Sequence, residues 1–246
     1  MISLENNELF QFLDITTLDV SDTKQSVNRF VENVLAQAEK GYTAAAVCVY
    51  PNFSGLVSGA LKGSAIKTAA VSGCFPAAQS FLAVKCLEAK MAVESGADEI
   101  DIVLNLGEFL QGNTQPVVDE IKQIKGVIGS AKLKVILETG VLKDTEIIKN
   151  AARLAIVGGA DFLKTSTGKV ATGATPQSVL ALCEVIEEEQ RSSGRKIGIK
   201  VSGGVRSKEE ALMYYTIVLK SLGETFCHPD FFRIGASSLA DALVNE

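Results

Sequence analysis

The chain has 246 residues, a formal net charge of -5 and five cysteines, none of which forms a CxxC pair. An acidic chain of this kind is not expected to bind nucleic acid or an anionic membrane surface, although a local cluster of cations still allows an anionic small substrate. The cysteine pattern favours a reduced, cytoplasmic protein over a disulfide scaffold, and we expect neither a signal peptide nor a membrane-spanning segment.

The single histidine excludes much metal and triad chemistry. His228 lies beside Pro229 and outside any predicted strand-end motif. A histidine-rich zinc site cannot be built within one such chain, and a Ser-His-Asp triad would have to use this residue. We interpret His228 as a loop histidine, and we expect neither a metal nor a cofactor.

Eight short apolar runs alternate with longer amphipathic segments along the chain. In chain order they are FLDITT, AAAVCVYP, KTAAVSG, DEIDIVLN, LKVILETG, DFLKTSTG, IGIKVSGG and FFRIGAS. Runs that are apolar on both faces are typical of parallel strands covered by helices. About eight β-then-α units match a closed TIM (β/α)8 barrel, so we predict one α/β domain over residues 1–246. An open doubly wound sheet is the alternative, which the lack of GxGxxG after the first strand disfavours.

Three of the intervening segments have clear helical spacing. Residues 24–41 place one apolar face together and end at Gly41; the face consists of Val27, Phe30, Val31, Val34, Leu35 and Ala38. Residues 80–96 form a second predicted helix. Residues 175–194 form a third, in which Thr175 caps the helix and Pro176 occupies its first position.

Polar residues at the ends of apolar strands indicate the site, because the active site of such a barrel lies at the carboxyl ends of its strands. They are Asp14, Thr16, Cys48, Asp101, Asn105, Glu138, Lys164, Lys200 and Arg233. The alternation of strand faces allows Lys164, Lys200 and Asp101 to converge on one cavity. Any one of them can be read as a solvated rim charge. Burying an unpaired ammonium is costly, however, so two lysines and an aspartate inside apolar strands favour a shared role.

The paired lysines predict a nucleophilic amine. Desolvation or a second cation nearby lowers the pKa of a lysine, and Lys164 and Lys200 on neighbouring strands supply such a pair. A neutral amine condenses with an aldehyde or ketone, and the iminium then acts as an electron sink for making or breaking a C–C bond. Asp101 is the candidate for proton transfer.

Two glycine-bearing loops after the last two strands predict a phosphate site. One is SGGVRS, with Gly203, Gly204 and Arg206, and the other is GASS, with Gly235, Ser237 and Ser238 before the final helix. Glycine lets backbone N–H groups approach an anion, and the serine hydroxyls add donors. Together the loops predict a small phosphorylated substrate.

At these residues the sequence resembles the deoxyribose-phosphate aldolase family. The match runs from FLDITTLD through AAVCVYP, GADEIDIV, LKVILETG and DFLKTSTGK to IKVSGGVR and RIGASS, over nearly the whole chain. DFLKTSTGK with a downstream IK-x-x-GGVR is the most specific part. The resemblance implies a barrel that reversibly cleaves 2-deoxy-D-ribose 5-phosphate to acetaldehyde and D-glyceraldehyde 3-phosphate, in the breakdown of deoxynucleosides.

The resemblance also implies a role for individual residues. Lys164 would form the Schiff base, Lys200 would tune it and Asp101 would transfer protons. The implied substrate-binding positions are Asp14, Thr16, Cys48, Thr165, Gly168, Gly203, Gly204, Gly235, Ser237 and Ser238. Cys48 is equally interpretable as a small core residue. Lys169 and Arg206 are near the phosphate positions, but either can be a solvated charge.

The chain departs from the family pattern in places. Val201 and Ser202 stand where some members have proline and alanine, and LNLGEF follows the fourth strand. Some members carry a tail that ends in tyrosine and helps proton transfer; here we expect slower turnover or another group in its place. Two alternatives stay open: another Schiff-base barrel aldolase, and a non-catalytic sugar-phosphate-binding barrel. The sequence leaves the oligomeric state open, and a homodimer is compatible with it.

Overall fold

Eight parallel strands close into a barrel in the computed structural model, which describes residues 4–245. Each strand pairs with its neighbours in chain order, and β1 pairs with β8. The strands are β1 Leu13–Thr16, β2 Ala46–Val49, β3 Lys67–Ser72, β4 Glu99–Val103, β5 Lys132–Ile136, β6 Phe162–Lys164, β7 Gly198–Ser202 and β8 Phe232–Ala236. The predicted (β/α)8 barrel is confirmed, and each apolar run matches one strand, although β5 begins one residue before its run, at Lys132.

Helices surround the barrel and fill most connections between strands. They are α1 Asn6–Phe10, α2 Lys24–Glu39, α3 Ser54–Ala60, α4 Leu82–Glu94, α5 Leu106–Leu110, α6 Thr114–Val127, α7 Thr139–Leu142, α8 Thr145–Val157, α9 Pro176–Ser193, α10 Lys208–Leu222 and α11 Leu239–Asn245. None of these helices is long and apolar enough to cross a membrane. Residues 1–3 and 246, the two ends of the predicted single domain, lie outside the described residues. The expectation that the chain has no signal peptide therefore falls partly on residues that the structure does not describe.

The three predicted helical segments each contain one helix, α2, α4 and α9, and the predicted cap Thr175 precedes α9. The hydroxyl of Thr23 accepts a hydrogen bond from the Ser26 N–H at the start of α2, and Thr175 does the same for Ser178 in α9. Pro176 follows as the first residue of α9. A hydroxyl at this position satisfies an amide that the first helical turn leaves without a partner. Local chemistry therefore fixes where α2 and α9 start.

The core has two parts, one outside the strands and one inside the barrel. Aliphatic strand residues such as Ile100, Val135 and Ile199 face the helices and belong to the main hydrophobic cluster. Inside the barrel, small apolar residues of β2 and β3 form a separate cluster: Ala46, Cys48, Ala69 and Val71, with Leu18 above them. The rest of the interior, from β4 round to β1, carries charged side chains together with Phe162 and, on β4 and β5, Val103 and Ile136.

The interior of β6 and β7 depends on a close approach between Phe162 and Gly198. The two residues are register partners, and a Cβ added at Gly198 would lie 2.3 Å from Phe162 Cε1. The Phe162 ring in turn packs 5.7 Å from the guanidinium carbon of Arg233. Glycine at position 198 therefore makes room for the ring on the barrel axis.

We predict that Gly198→Ala destabilises the protein by about 1–3 kcal/mol, because the added methyl overpacks the interior. Urea unfolding monitored by circular dichroism measures the change. Phe162→Leu in the same chain should recover part of the loss. As a control, Gly126→Ala in α6, where an added Cβ meets nothing within 4 Å, should leave stability unchanged or slightly raised. Equal stability of Gly198→Ala and the unmodified chain would contradict this packing.

Candidate active site

Seven buried charged side chains meet inside the barrel. The carboxylates come from β1 and β4 and the cations from β5, β6, β7 and β8; they are Asp14, Glu99, Asp101, Lys134, Lys164, Lys200 and Arg233. All of them point inward because strand residues alternate between the two faces. Each is linked to at least one of the others by an ion pair. We call this group the barrel charge cluster.

Asp101 lies at the centre of the cluster. Its Oδ2 accepts hydrogen bonds from Lys164 Nζ at 2.7 Å and from Lys200 Nζ at 2.8 Å. Its Oδ1 accepts one from Lys134 Nζ at 2.9 Å. The convergence of Lys164, Lys200 and Asp101, which the strand phases predicted, is therefore present in the structure, with a third lysine on the far oxygen.

The deeper part of the cluster is a set of shared ion pairs. Arg233 donates to Asp14 Oδ1 at 2.6 Å and to Glu99 Oε1 at 2.8 Å. Lys134 Nζ lies 2.5 Å from Glu99 Oε2. Lys200 Nζ lies 2.5 Å from Asp14 Oδ2, an ion pair without hydrogen-bond geometry. Buried charges need such partners, since leaving one without a counter-charge costs several kcal/mol.

The electrostatics keep most of the cluster charged. Burial alone would raise the pKa of Asp101, but the ammonium groups of Lys134, Lys164 and Lys200 hold that pKa well below its ordinary value. Burial alone would lower the pKa of Lys200, but Asp101 and Asp14 raise it. The pKa of Lys134 is raised in the same way by Asp101, Glu99 and Asp14.

Lys164 differs from the other two lysines. Burial lowers its pKa below the ordinary value of 10.5; Asp101 opposes the change, and the nearby Lys200 ammonium adds to it. Within the cluster, Lys164 pairs with one carboxylate oxygen, whereas Lys200 lies against two carboxylates. The prediction of a second cation beside Lys164 is confirmed, but desolvation is the larger cause of the lowered pKa.

A cavity of about 420 Å³ opens above Lys164 and Lys200. Its wall comes from the loops after β1, β6, β7 and β8. Of the positions predicted from the sequence, it is lined by Lys164, Lys200, Thr16, Gly168, Gly203, Gly204, Gly235 and Ser237. Lys169 and Arg206, for which a solvated charge was the alternative interpretation, also line the cavity. The wall therefore carries four cationic side chains and backbone segments rich in glycine.

Five of the positions to which the family resemblance gave a role do not line the cavity. Asp101 and Asp14 lie behind the lysines in the charge cluster. Thr165 is buried and exchanges hydrogen bonds with the backbone of Ser202, which ties β6 to β7. Ser238 precedes α11, and its carbonyl accepts from the Ala242 N–H. The fifth, Cys48, is described next.

Cys48 is fully buried in the apolar half of the barrel interior. Burial raises the pKa of its thiol, and the Lys200 ammonium opposes that change. The residue is thus close enough to the lysines to interact electrostatically with them, yet its surroundings keep it a thiol. Both of its interpretations, core residue and neighbour of the site, fit this position.

Reasoning from the sequence missed Lys134 and Glu99 and misplaced three strand-end residues, Asn105, Glu138 and Arg233. Glu138 lies outside the cavity wall and is hydrogen-bonded to Thr167. Period two along β4 and β5 places Glu99 beneath Asp101 and makes Lys134 face inward, a signal that the strand-end criterion passed over. Asn105 was expected at the mouth but donates to Glu120 Oε2 and caps α5. Arg233 is the second residue of β8 and lies deep in the cluster. Within residues 4–245, no group of three or more His, Cys, Asp or Glu side chains is arranged to hold a metal ion.

Several known proteins are similar to this chain in both sequence and fold. A model of the DeoC/LacD family aldolases matches residues 9–220. Human deoxyribose-phosphate aldolase is 38% identical over 241 residues, which cover 93% of this chain and 76% of the human protein. A solved aldolase named QR15 is 34% identical with a TM-score of 0.79, covering 96% of this chain and 95% of that one. The deoxyribose phosphate aldolase from Aeropyrum pernix, described as a unique tetrameric structure, is 28% identical with a TM-score of 0.74, covering 98% and 92%.

We predict that Lys200→Leu raises the pKa of Lys164. Removing the Lys200 ammonium takes away a like charge and leaves Asp101 less compensated, and both effects favour a protonated Lys164. Amine labelling followed by peptide mass spectrometry, repeated across a pH series, locates the pH at which Lys164 becomes reactive. Lys85→Met removes a buried lysine that pairs with Glu120 outside the charge cluster, and it should leave that pH unchanged. A reactive pH for Lys200→Leu equal to or below that of the unmodified chain would contradict the prediction.

Proposed function

The chain belongs to the DeoC/LacD family of aldolases, and from this we propose that it reversibly cleaves 2-deoxy-D-ribose 5-phosphate to D-glyceraldehyde 3-phosphate and acetaldehyde. The observation that carries the proposal is Lys164, a buried lysine with a lowered pKa at the base of a cavity. The sugar phosphate is inferred from the relatives, which are deoxyribose-phosphate aldolases.

The first step is attack by the neutral Lys164 amine on the C1 aldehyde of the open-chain sugar. The carbinolamine loses water and becomes an iminium on the same carbon. Loss of the proton from the C3 hydroxyl then breaks the C2–C3 bond, and the electron pair moves into an enamine. D-glyceraldehyde 3-phosphate leaves; protonation of C2 and hydrolysis of the iminium release acetaldehyde and restore the amine.

The contacts of Asp101 and Lys200 support roles for both in proton transfer. Both lysines contact the same oxygen of Asp101, so this carboxylate can accept the proton that the Lys164 nitrogen releases on attack and pass it to the carbinolamine hydroxyl. Lys200 stays charged, since Asp101 and Asp14 raise its pKa, and its ammonium keeps Asp101 ionised and able to accept that proton. Lys134 holds the other oxygen of Asp101 and so fixes the direction of the carboxylate.

The part of the cavity wall formed by the loops after β6, β7 and β8 is suited to a phosphate. Gly203 and Gly204 follow β7 with positive φ values of 84° and 93°, and their loop lines the cavity together with Gly168, Ser237, Lys169 and Arg206. Glycine backbone and cationic side chains are the groups that bind phosphate dianions. The C5 phosphate would bind at this wall while C1 reaches Lys164.

The other interpretations are less well supported. A non-catalytic sugar-phosphate-binding barrel would need the glycine loops but no amine with a lowered pKa. A different Schiff-base aldolase would share Lys164 and differ in the carbonyl compound that it accepts. Participation in deoxynucleoside breakdown, a cytoplasmic location and a homodimer stay predictions.

We expect borohydride to trap acetaldehyde on Lys164. Reduction of the iminium leaves an ethyl group on this lysine, which peptide mass spectrometry locates. Dihydroxyacetone under the same conditions should give little product. Trapping of the ketone alone would support a different Schiff-base aldolase, and no trapping at all would support a binding protein.

We also expect Lys164→Ala to lower the rate of cleavage by about a thousandfold or more, because the covalent route is lost. The release of D-glyceraldehyde 3-phosphate, coupled to a dehydrogenase, measures the rate. Lys132→Ala, at the partly exposed start of β5, serves as the matched control and should keep the full rate. A near-normal rate for Lys164→Ala would overturn the assignment of the nucleophile.

A further inference from the structure

Glu138 is a buried carboxylate beneath the wall that lines the cavity. It follows β5, is 3% exposed, and has φ 53° and ψ 55°. This left-handed backbone conformation is uncommon for a residue with a side chain. It persists only where contacts with the surrounding structure stabilise it. Glu138 is not part of the cavity wall or of the barrel charge cluster, so the chemistry described above leaves it without a role.

Both oxygens of Glu138 bind one residue of the loop after β6. Oε1 accepts from the Thr167 N–H at 3.1 Å, and Oε2 accepts from the Thr167 hydroxyl at 2.6 Å. The Thr167 oxygen in turn accepts from the Lys169 N–H at 3.0 Å. Glu138 therefore fixes Thr167 directly and Lys169 through one hydroxyl.

These hydrogen bonds set which groups the turn offers to the cavity. The amides of Thr167 and Lys169 are used inside the protein, whereas the Gly168 N–H has no hydrogen-bond acceptor among residues 4–245. Gly168 has φ 77°, which a residue with a side chain would adopt only under strain. The Lys169 ammonium extends across the cavity to the Leu18 carbonyl at 2.6 Å.

The segment that carries Glu138 packs closely against the same loop. The Thr139 N–H donates to the Thr165 carbonyl at 2.9 Å. A Cβ added at Gly140 would lie 2.0 Å from the Thr172 carbonyl oxygen, so the two backbones touch at this point. Residues 138–140 thus pack directly against the 165–172 loop and restrict its backbone conformation.

We propose that Glu138 is a positioning residue for substrate binding: it holds the Thr167–Lys169 turn so that the Gly168 amide and the Lys169 ammonium face the phosphate of the substrate. The proposal rests on the proposed function. Because Glu138 does not contact the substrate, its effect must pass through Thr167, and it must be confined to substrates that carry the anion.

The test compares 2-deoxyribose 5-phosphate with unphosphorylated 2-deoxyribose. Glu138→Gln should lower kcat/KM for the phosphorylated sugar by about tenfold, through KM, because a charge-assisted hydrogen bond is lost. The kcat for that sugar, and kcat/KM for the unphosphorylated sugar, should change little. Binding of inorganic phosphate, measured by calorimetry, should weaken by a similar factor.

Four further variants separate positioning from loss of stability. Glu120→Gln replaces another buried carboxylate, which pairs with Lys85 away from the cavity, and should not change the preference between the two sugars. Thr167→Val should reproduce the Glu138→Gln effect, and Thr167→Ser, which keeps the hydroxyl, should restore most of it. The double variant Glu138→Gln/Thr167→Val should lose little more than either single variant, because the two residues act as one unit. If Glu138→Gln does not fold, the two Thr167 variants provide the same comparison.

Equal fractional losses on both sugars, or unchanged phosphate binding, would overturn the role of Glu138 and leave the proposed function standing. A wild-type enzyme without preference for the phosphorylated sugar would instead overturn both. A normal wild-type preference that falls in Glu138→Gln and Thr167→Val, but not in Glu120→Gln, is the result that we expect.

Discussion

An excess of positive charge inside the barrel is the constraint on which the site depends. In the barrel charge cluster, four cations share three carboxylates, and all seven side chains are buried. Water cannot screen the extra charge, and the group with the weakest counter-charge is the one most easily neutralised. Lys164 is that group, since it contacts a single carboxylate oxygen that Lys200 also uses. The same arrangement that balances the interior therefore prepares an amine for attack on a carbonyl.

The barrel can bury these charges because its charged and apolar surfaces are separate. Aliphatic residues on the outer face of every strand pack against the helices, while the inner face is divided between small apolar residues and ions. Parallel strands deliver the ions from different parts of the chain: Asp101 and Lys164 are 63 residues apart in sequence. Above them, the loops after β6, β7 and β8 form a wall of cations and glycine. Lys164 and the loops rich in glycine and cations thus line one cavity.

Much of this could be predicted from the sequence, because strand periodicity fixes which face a residue occupies. It brought Lys164, Lys200 and Asp101 together correctly. Periodicity does not fix depth along the barrel axis, which depends on the stagger between strands, so Arg233 was expected at the mouth and Lys134 was passed over. Strand periodicity also cannot predict which side chains hydrogen-bond to a loop. The partner of Glu138 lies 29 residues away in an irregular turn, and no periodic signal connects the two.

The central claim is that Lys164, and not Lys200 or Lys134, is the lysine that loses its proton first. NMR of a sample labelled with ¹³C and ¹⁵N in lysine follows the three side-chain amines separately through a pH titration. We expect the Lys164 signals to change below the ordinary lysine pKa of 10.5, while Lys200 and Lys134 stay charged well beyond that point. Titration of Lys200 before Lys164, or of all three together at the ordinary value, would contradict it.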